Sequence, residues 1–306
     1  MFFFTNYTLA SILTALAALL GLILVNELTR RSKWLSIAVY IVLPILLTAF
    51  VWRAGDGSSA TSTWFAWVKT YSALAGVIGF MAIRYIPKLQ TNKFALFFPA
   101  FILGFNILEA VIRDVQCFSK GSFVEGGLTI VGGPWNLMNA AAGIILIITM
   151  TGWTGIKIAK TKSQDMIWPD QLWFWIIAYD IWNLAYCYNC LSTRSFYAGV
   201  ILLLSCTLPS FLIKRGAWLQ HRAQTLALWG MFSLTFAYSK SPLFGITTTN
   251  NPASLFTLSA LALASNVAVL VYVLVRSYQT KRNFILHDLF DHLKEYRQAL
   301  TENNLA

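Results

Sequence analysis

Ionisable side chains are scarce in the apolar stretches of this sequence, and three of them stand well inside such stretches: Lys69, Glu109 and Asp180. A charge at the centre of a membrane helix costs about 2.5–3.5 kcal/mol even on lenient insertion scales, so these positions mark places where a solute, ion or proton is handled. Carboxamides accompany them at helical spacing. Asn106, Glu109 and Arg113 follow i, i+3, i+7; Asn136, Asn139 and Gly143 repeat it; Asp180, Asn183, Cys187 and Cys190 extend it by a turn. Each set occupies one face of its helix. Lipid cannot satisfy such groups, so the faces must meet each other, water or a ligand.

Aromatic residues stand beside them: Trp135, Tyr179, Trp182 and Tyr186. A cavity lined by carboxylates, carboxamides and rings suits a small polar or aromatic solute, or a cationic one. In that reading Asp180 and Glu109 hold the solute, Asn106, Asn136, Asn139 and Asn183 orient it, and the four aromatics enclose it. Lys69 and Arg113 serve as gating groups or charge partners. The competing reading makes the same groups interhelical glue, each hydrogen bond contributing about 1 kcal/mol.

The thiols offer a different chemistry. Cys187 and Cys190 form a C-x-x-C at the end of one apolar segment, Cys117 lies in the loop after another, and Cys206 sits inside a third. Cys117 could staple its loop to Cys187 or Cys190, or the C-x-x-C could cycle as a redox pair. In outline this is similar to the quinone-linked membrane thiol oxidases of disulfide-forming pathways and to vitamin K epoxide reductases. The resemblance implies Cys187, Cys190 and Cys117 as catalytic residues, but it covers four residues, and those families are bundles of about four helices with two cysteine pairs.

The elements that must position these residues follow from composition. Of 306 residues, 57% are hydrophobic and 11% charged, and the mean hydropathy is +0.62. Soluble, collagen-like, disordered and disulfide-scaffold classes are excluded. Nine apolar stretches are long enough to span a bilayer at roughly 20 residues each: 9–25, 34–52, 63–86, 94–112, 135–158, 172–190, 196–213, 219–238 and 254–275. The expected fold is therefore an all-α, polytopic bundle of nine transmembrane helices. The first stretch has no basic n-region or small-residue cleavage site, so it reads as a retained helix. If the first loop is cytoplasmic, seventeen of the 23 Lys and Arg fall on that side. The positive-inside rule then puts the N-terminus outside and the C-terminus in the cytoplasm.

Residues 1–280 read as the bundle and 281–306 as a cytoplasmic tail. Phe284, Leu286, Leu289, Phe290, Leu293 and Tyr296 recur near 3.6 periodicity among charges, which predicts an amphipathic helix over 283–300. The loop 113–134 is Gly-rich, with Gly121, Gly126, Gly127, Gly132 and Gly133, and is either a linker or a lid folded over the bundle. Pro44, Pro99 and Pro209 inside spans predict kinks.

The +11 net charge matches a lipid-facing cytoplasmic rim and implies membrane lipids as partners, not nucleic acid. His221, His287 and His292 all fall on the cytoplasmic side, so no metal or haem centre forms in an outer cavity, and no phosphate-binding loop signature is present. No cofactor is expected. The leading function is a multi-pass plasma-membrane protein, of the bacterial inner membrane if prokaryotic, that binds a solute in an outward-facing cavity as transporter or sensor. The alternatives are a thiol–disulfide oxidoreductase and a membrane scaffold that recruits partners through its tail. The cavity reading predicts that Asp180→Ala or Asn183→Ala abolishes solute binding in a calorimetric titration while the bundle stays folded. Equal loss of folding would make these groups glue.

Overall fold

The computed structural model describes residues 2–53, 64–125 and 128–306. The first residue of the expected third span, 63, and the loop glycines Gly126 and Gly127 lie outside the described residues. The chain is 72% helical. Its longer helices are α1 (Leu9–Arg31), α2 (Lys33–Trp52), α3 (Trp64–Tyr85), α4 (Lys93–Lys120), α5 (Pro134–Ile148), α6 (Trp173–Leu191), α7 (Phe196–Leu212), α8 (Trp218–Thr235) and α9 (Pro252–Thr280). Five of these, α1, α2, α3, α4 and α9, are long and apolar enough to cross a membrane. The fold is that of an all-α membrane protein.

Its outer surface shows why. Leu13, Leu16, Leu20 and Leu24 of α1, Phe50 of α2 and Leu261 and Val271 of α9 are all exposed. A continuous apolar surface of this extent is stable against hydrocarbon and not against water. Inside, α9 packs on α5 and α6, α5 on α4, α3 on α8 and α4, and α8 on α7. Two glycines permit the closest approaches. A Cβ on Gly143 of α5 would lie 2.6 Å from Val111 and 2.8 Å from the Trp182 ring, and one on Gly230 of α8 would lie 2.8 Å from Thr70. Small residues at crossings let membrane helices gain van der Waals contact where no hydrophobic force separates them from lipid.

Pro44 sits between two π-helical stretches of α2, Ala38–Val42 and Leu47–Trp52, where the wider turns accommodate the missing N–H. Pro99 and Pro209 lie inside α4 and α7.

Three departures from the sequence reading matter for function. The fourth span does not stop at 112: α4 runs to Lys120 and carries Asp114 and Cys117 into the interior. The fifth is shorter than 135–158. At 15 residues α5 is about 22 Å long against a hydrocarbon core of about 30 Å. It ends at Thr149, whose hydroxyl takes the Trp175 ring N–H at 3.2 Å, and residues 149–172 form a folded loop with a short ladder of Lys157–Ile158 on Met166–Ile167. The remainder of 113–134 is a hairpin of Ser122–Glu125 and Leu128–Val131, with Leu128 and Ile130 buried. We call this the hairpin end of the bundle. The opposite end holds the 149–172 loop and residues 281–306.

The helix expected over 283–300 is broken. Only Lys294–Thr301 is helical, as α10. The cause is Asp170, whose carboxylate accepts the backbone N–H of Leu289 at 3.0 Å and of Phe290 at 2.8 Å, together with the Thr151 hydroxyl at 2.5 Å. Those N–H groups are lost to a helix and gained by the loop. Phe290 then packs on Phe174 and Tyr272 with ring centroids 5.0 and 5.3 Å apart.

Burial pushes the Asp170 carboxyl up to about 6, with the nearby Asp288 carboxylate adding to it and the Thr151 and backbone donors opposing it. Burial likewise raises Asp288. Groups with a raised docked-state pKa bind protons more readily when docked. The tail therefore docks more tightly as pH falls from about 6 toward 4, and less tightly above. Asp165, held below its ordinary value by Arg30 and Arg84 despite burial, acts in the opposite sense and only below about 4. A dye attached at Asn304→Cys should show higher anisotropy at pH 5 than at pH 7.5. Asp170→Asn should flatten that difference; an unchanged profile would show that Asp170 does not govern it.

Candidate functional site

The functional geometry begins with two buried charges of opposite sign, 114 and 222, which the protein treats differently. Asp114 of α4 is fully buried. Asn136 Nδ2 donates to Oδ1 and Asn139 Nδ2 to Oδ2, both at 2.8 Å, and the Cys190 thiol donates to Oδ1 at 3.3 Å. Three donors from α5 and α6 thus clamp a carboxylate of α4. The i, i+3 spacing of Asn136 and Asn139 exists to reach both oxygens of one acid. Trp182 Nε1 donates to the Asn139 carbonyl at 3.0 Å, and Trp135 Nε1 to the Val131 carbonyl at 3.0 Å, bracing the hairpin.

Beside this clamp lies a cavity of about 130 Å³ between α3, α6, α7, α8 and the hairpin. That is several times the ~10–15 Å³ that holds one water. It follows α8 from Ser233 and Leu234, near the hairpin, down to Arg222, a run of about 16 Å at 1.5 Å per residue. Its middle is apolar, walled by Phe65, Leu202, Leu226 and Trp229. Four basic side chains line it: Lys69, Arg113, Arg194 and Arg222.

Lys69 and Arg113 are matched by carboxylates among the described residues. Lys69 Nζ lies 3.3 Å from Glu109 and donates to the Asn106 carbonyl at 2.8 Å, while Ser72 also donates to Glu109. Arg113 pairs with Glu125 of the hairpin and donates to Gln116. Arg222 differs. It is 4% exposed and meets only neutral partners, the Tyr179 hydroxyl at 3.1 Å and Asn183 Oδ1 at 3.3 Å, with its guanidinium 5.7 Å from the Tyr179 ring centroid. No carboxylate lies within ion-pair distance of it among the described residues. Its Nη1 has no hydrogen-bond partner there, and neither has the buried Tyr186 hydroxyl, which lines the same cavity. A buried donor on a charged group without an acceptor is costly.

The residues singled out from the sequence divide accordingly. Asn183, Tyr186, Lys69 and Arg113 line the cavity, with Tyr179 and Glu109 immediately behind. Asn136, Asn139, Trp135 and Trp182 serve the Asp114 clamp and its surroundings instead, and Asn106 Nδ2 returns to the Ile102 carbonyl at 3.2 Å. Asp180 is placed elsewhere: it accepts from Thr207 of α7 at 2.7 Å and does not line the cavity.

The C-x-x-C also divides. Cys187 donates to Asn183 Oδ1 and to the Ala198 carbonyl, whereas Cys190 turns to Asp114 and contacts Cys117. All four cysteines are free and buried. No group of three or more His, Cys, Asp or Glu able to hold a metal occurs among the described residues.

The chain belongs to a family of unknown function (DUF5692), whose signature covers residues 5–302. No curated protein and no solved structure matches it. The match includes the cavity, the Asp114 clamp and the docked tail alike, so all three lie within the family's domain.

Two decisive residues lie outside the set drawn from the sequence. Asp114 was hidden by ending the fourth span two residues early, although Ala110, Asp114 and Cys117 continue its inward face. Arg222 was counted with the basic rim, although it stands one turn inside its own span and shares a face with Leu226, Trp229 and Ser233. If the clamp is structural, Asn139→Ala should destabilise the protein by about 1–3 kcal/mol, the cost of stripping a donor from a buried carboxylate. Denaturant unfolding in detergent measures this. A change below about 0.5 kcal/mol would show that water replaces the amide.

Proposed function

We propose that this chain is a multi-pass membrane protein that binds a small anionic solute with an apolar body in the cavity at its hairpin end, as a transporter or sensor. The single observation that carries this reading is Arg222, a buried guanidinium that lines the cavity with an open donor and no carboxylate partner among the described residues. The charge argument reverses the cation preference expected from Asp180 and Glu109. Asp180 lies away from the cavity, and Glu109, which does not line it, gives Oε2 to Lys69 and Ser72 and keeps Oε1 buried without a partner among the described residues. Around Arg222, Asn183 and Tyr186 supply polar contacts and Trp229 and Leu226 an apolar wall, the composition expected of a small-molecule site.

The orientation that follows from the distribution of basic residues has the N-terminus outside, so the hairpin end and the cavity mouth face outward. Glu125 and Arg113, paired between the hairpin and α4, stand at that mouth. In this reading the hairpin is a lid over the bound solute.

Benzenesulfonate and trimethylphenylammonium share a ring and carry fixed, opposite charges. Calorimetric titration of the purified protein should detect the sulfonate and not the ammonium. Arg222→Gln should weaken sulfonate binding at least tenfold, while Asp180→Asn should leave it unchanged. Equal binding of both probes would refute the anion assignment.

A further inference from the structure

A second void abuts the first. It measures about 30 Å³ and lies on the other side of Arg222, and Arg222 and Leu226 line both spaces. On α3 the shared wall runs through Phe65, Lys69, Ser72, Gly76 and Phe80, spaced i, i+4, i+7, i+11, i+15, which is one helical face. That stripe is about 22 Å long, most of a ~30 Å hydrocarbon core. The facing stripe on α8 runs from Leu219 through Arg222 and Leu226 to Ser233.

We propose that the two voids are segments of one anion path between α3 and α8, interrupted at the layer of Arg222 and Leu226, so that the protein carries the anion across the membrane. This rests on the anion reading of the cavity above and adds passage to binding. The second void suits such a role. Its walls are small at Ala73, Gly76 and Ala223. Lys69, tied to the carbonyl of Asn106 and paired with Glu109, lines the first cavity beside it, so the charge at the constriction is that of Arg222.

The path is closed beyond the second void. Phe80 is 2% exposed, and one turn further Arg84 is fully buried, donating to the carbonyls of Arg30, Ser163 and Gln164. The path is therefore sealed at the end opposite the hairpin.

The test uses full-length protein in liposomes and radiolabelled benzenesulfonate under an imposed membrane potential. Uptake above protein-free liposomes is expected, at least tenfold lower in Arg222→Gln. Gly76→Leu discriminates. A side chain there fills the second void, with the nearest atom of Ile102 3.6 Å from the new Cβ, so uptake should be lost while calorimetric binding is retained. Phe80→Ala, which opens the seal, should raise uptake and guards against misfolding of the leucine variant. Sulfonate binding without uptake in the wild type would overturn the proposal and leave a blind binding cavity. Undiminished uptake in Gly76→Leu would overturn the route. Absence of binding as well as uptake would remove the anion reading itself.

Discussion

The Asp165 carboxylate holds the closed end of this bundle together. It is completely buried in the 149–172 loop, yet it accepts from Arg30 of α1 at 2.6 Å, from Ser163 at 2.6 Å and from Gln220 of α8 at 2.9 Å. Arg84 of α3 and Lys214 lie at 3.7 and 3.8 Å. One acid thereby ties three helices and a loop at a single level. Breaking such a group by removing one partner leaves an uncompensated buried charge, which costs about 3–5 kcal/mol.

The buried polar groups fall into two kinds. Asp165 and Asp114 are carboxylates whose oxygens are met by donors from neighbouring elements, so each works as a fastener. Asp170 is the same device at the tail. Arg222 belongs to the second kind, buried with an open donor, as are Arg113 Nε in the same cavity wall and Glu109 Oε1 behind it among the described residues. Satisfied networks rigidify a core, and each unsatisfied group calls for an account of its own. The clamp and the cavity are also neighbours through Cys190, which donates to Asp114 and lines the cavity. The hairpin is attached to both, by Trp135 on the clamp side and by the Arg113–Glu125 pair on the cavity side.

Much of this was legible in the amino-acid sequence because hydrocarbon tolerates so few polar groups. The helical class followed from composition, the inward faces of Asn136, Asn139 and Asn183 followed from spacing, and Lys69 stood with Arg113 as one of two candidate charge partners. What could not be read was which polar face met which. Asn136 and Asn139 look alike as ligand contacts or as fasteners until Asp114 is seen between them, and Asp114 fell just beyond a span boundary set by hydropathy. Arg222 was misassigned for the same reason, because a charge near the start of an apolar run is ordinarily a snorkelling residue at the lipid headgroups. Periodicity over 283–300 was genuine, but Asp170, more than a hundred residues away, takes the backbone donors that a helix there would need. Side-chain capture of backbone groups across such distance leaves no local signal.

The sign of the cavity's charge is therefore the part of the argument that rests most on three-dimensional placement. Lys69 and Arg113 are offset by Glu109 and Glu125, so the field near the deep end is dominated by Arg222. At an effective dielectric of about 20, a unit charge 4 Å from it gains or loses about 4 kcal/mol, roughly three powers of ten in affinity at most. An anion must surrender its hydration to collect that gain, and the Arg222 Nη1 and the Tyr186 hydroxyl are the donors positioned to replace part of it. A cation would lose hydration and meet repulsion together, with no free carboxylate on the cavity wall among the described residues to offset either. The apolar middle of the cavity then adds selectivity of a second kind, since a ring or short chain between Leu226, Trp229 and Phe65 gains about 25 cal/mol for each Å² removed from water, whereas a bare inorganic ion gains nothing there.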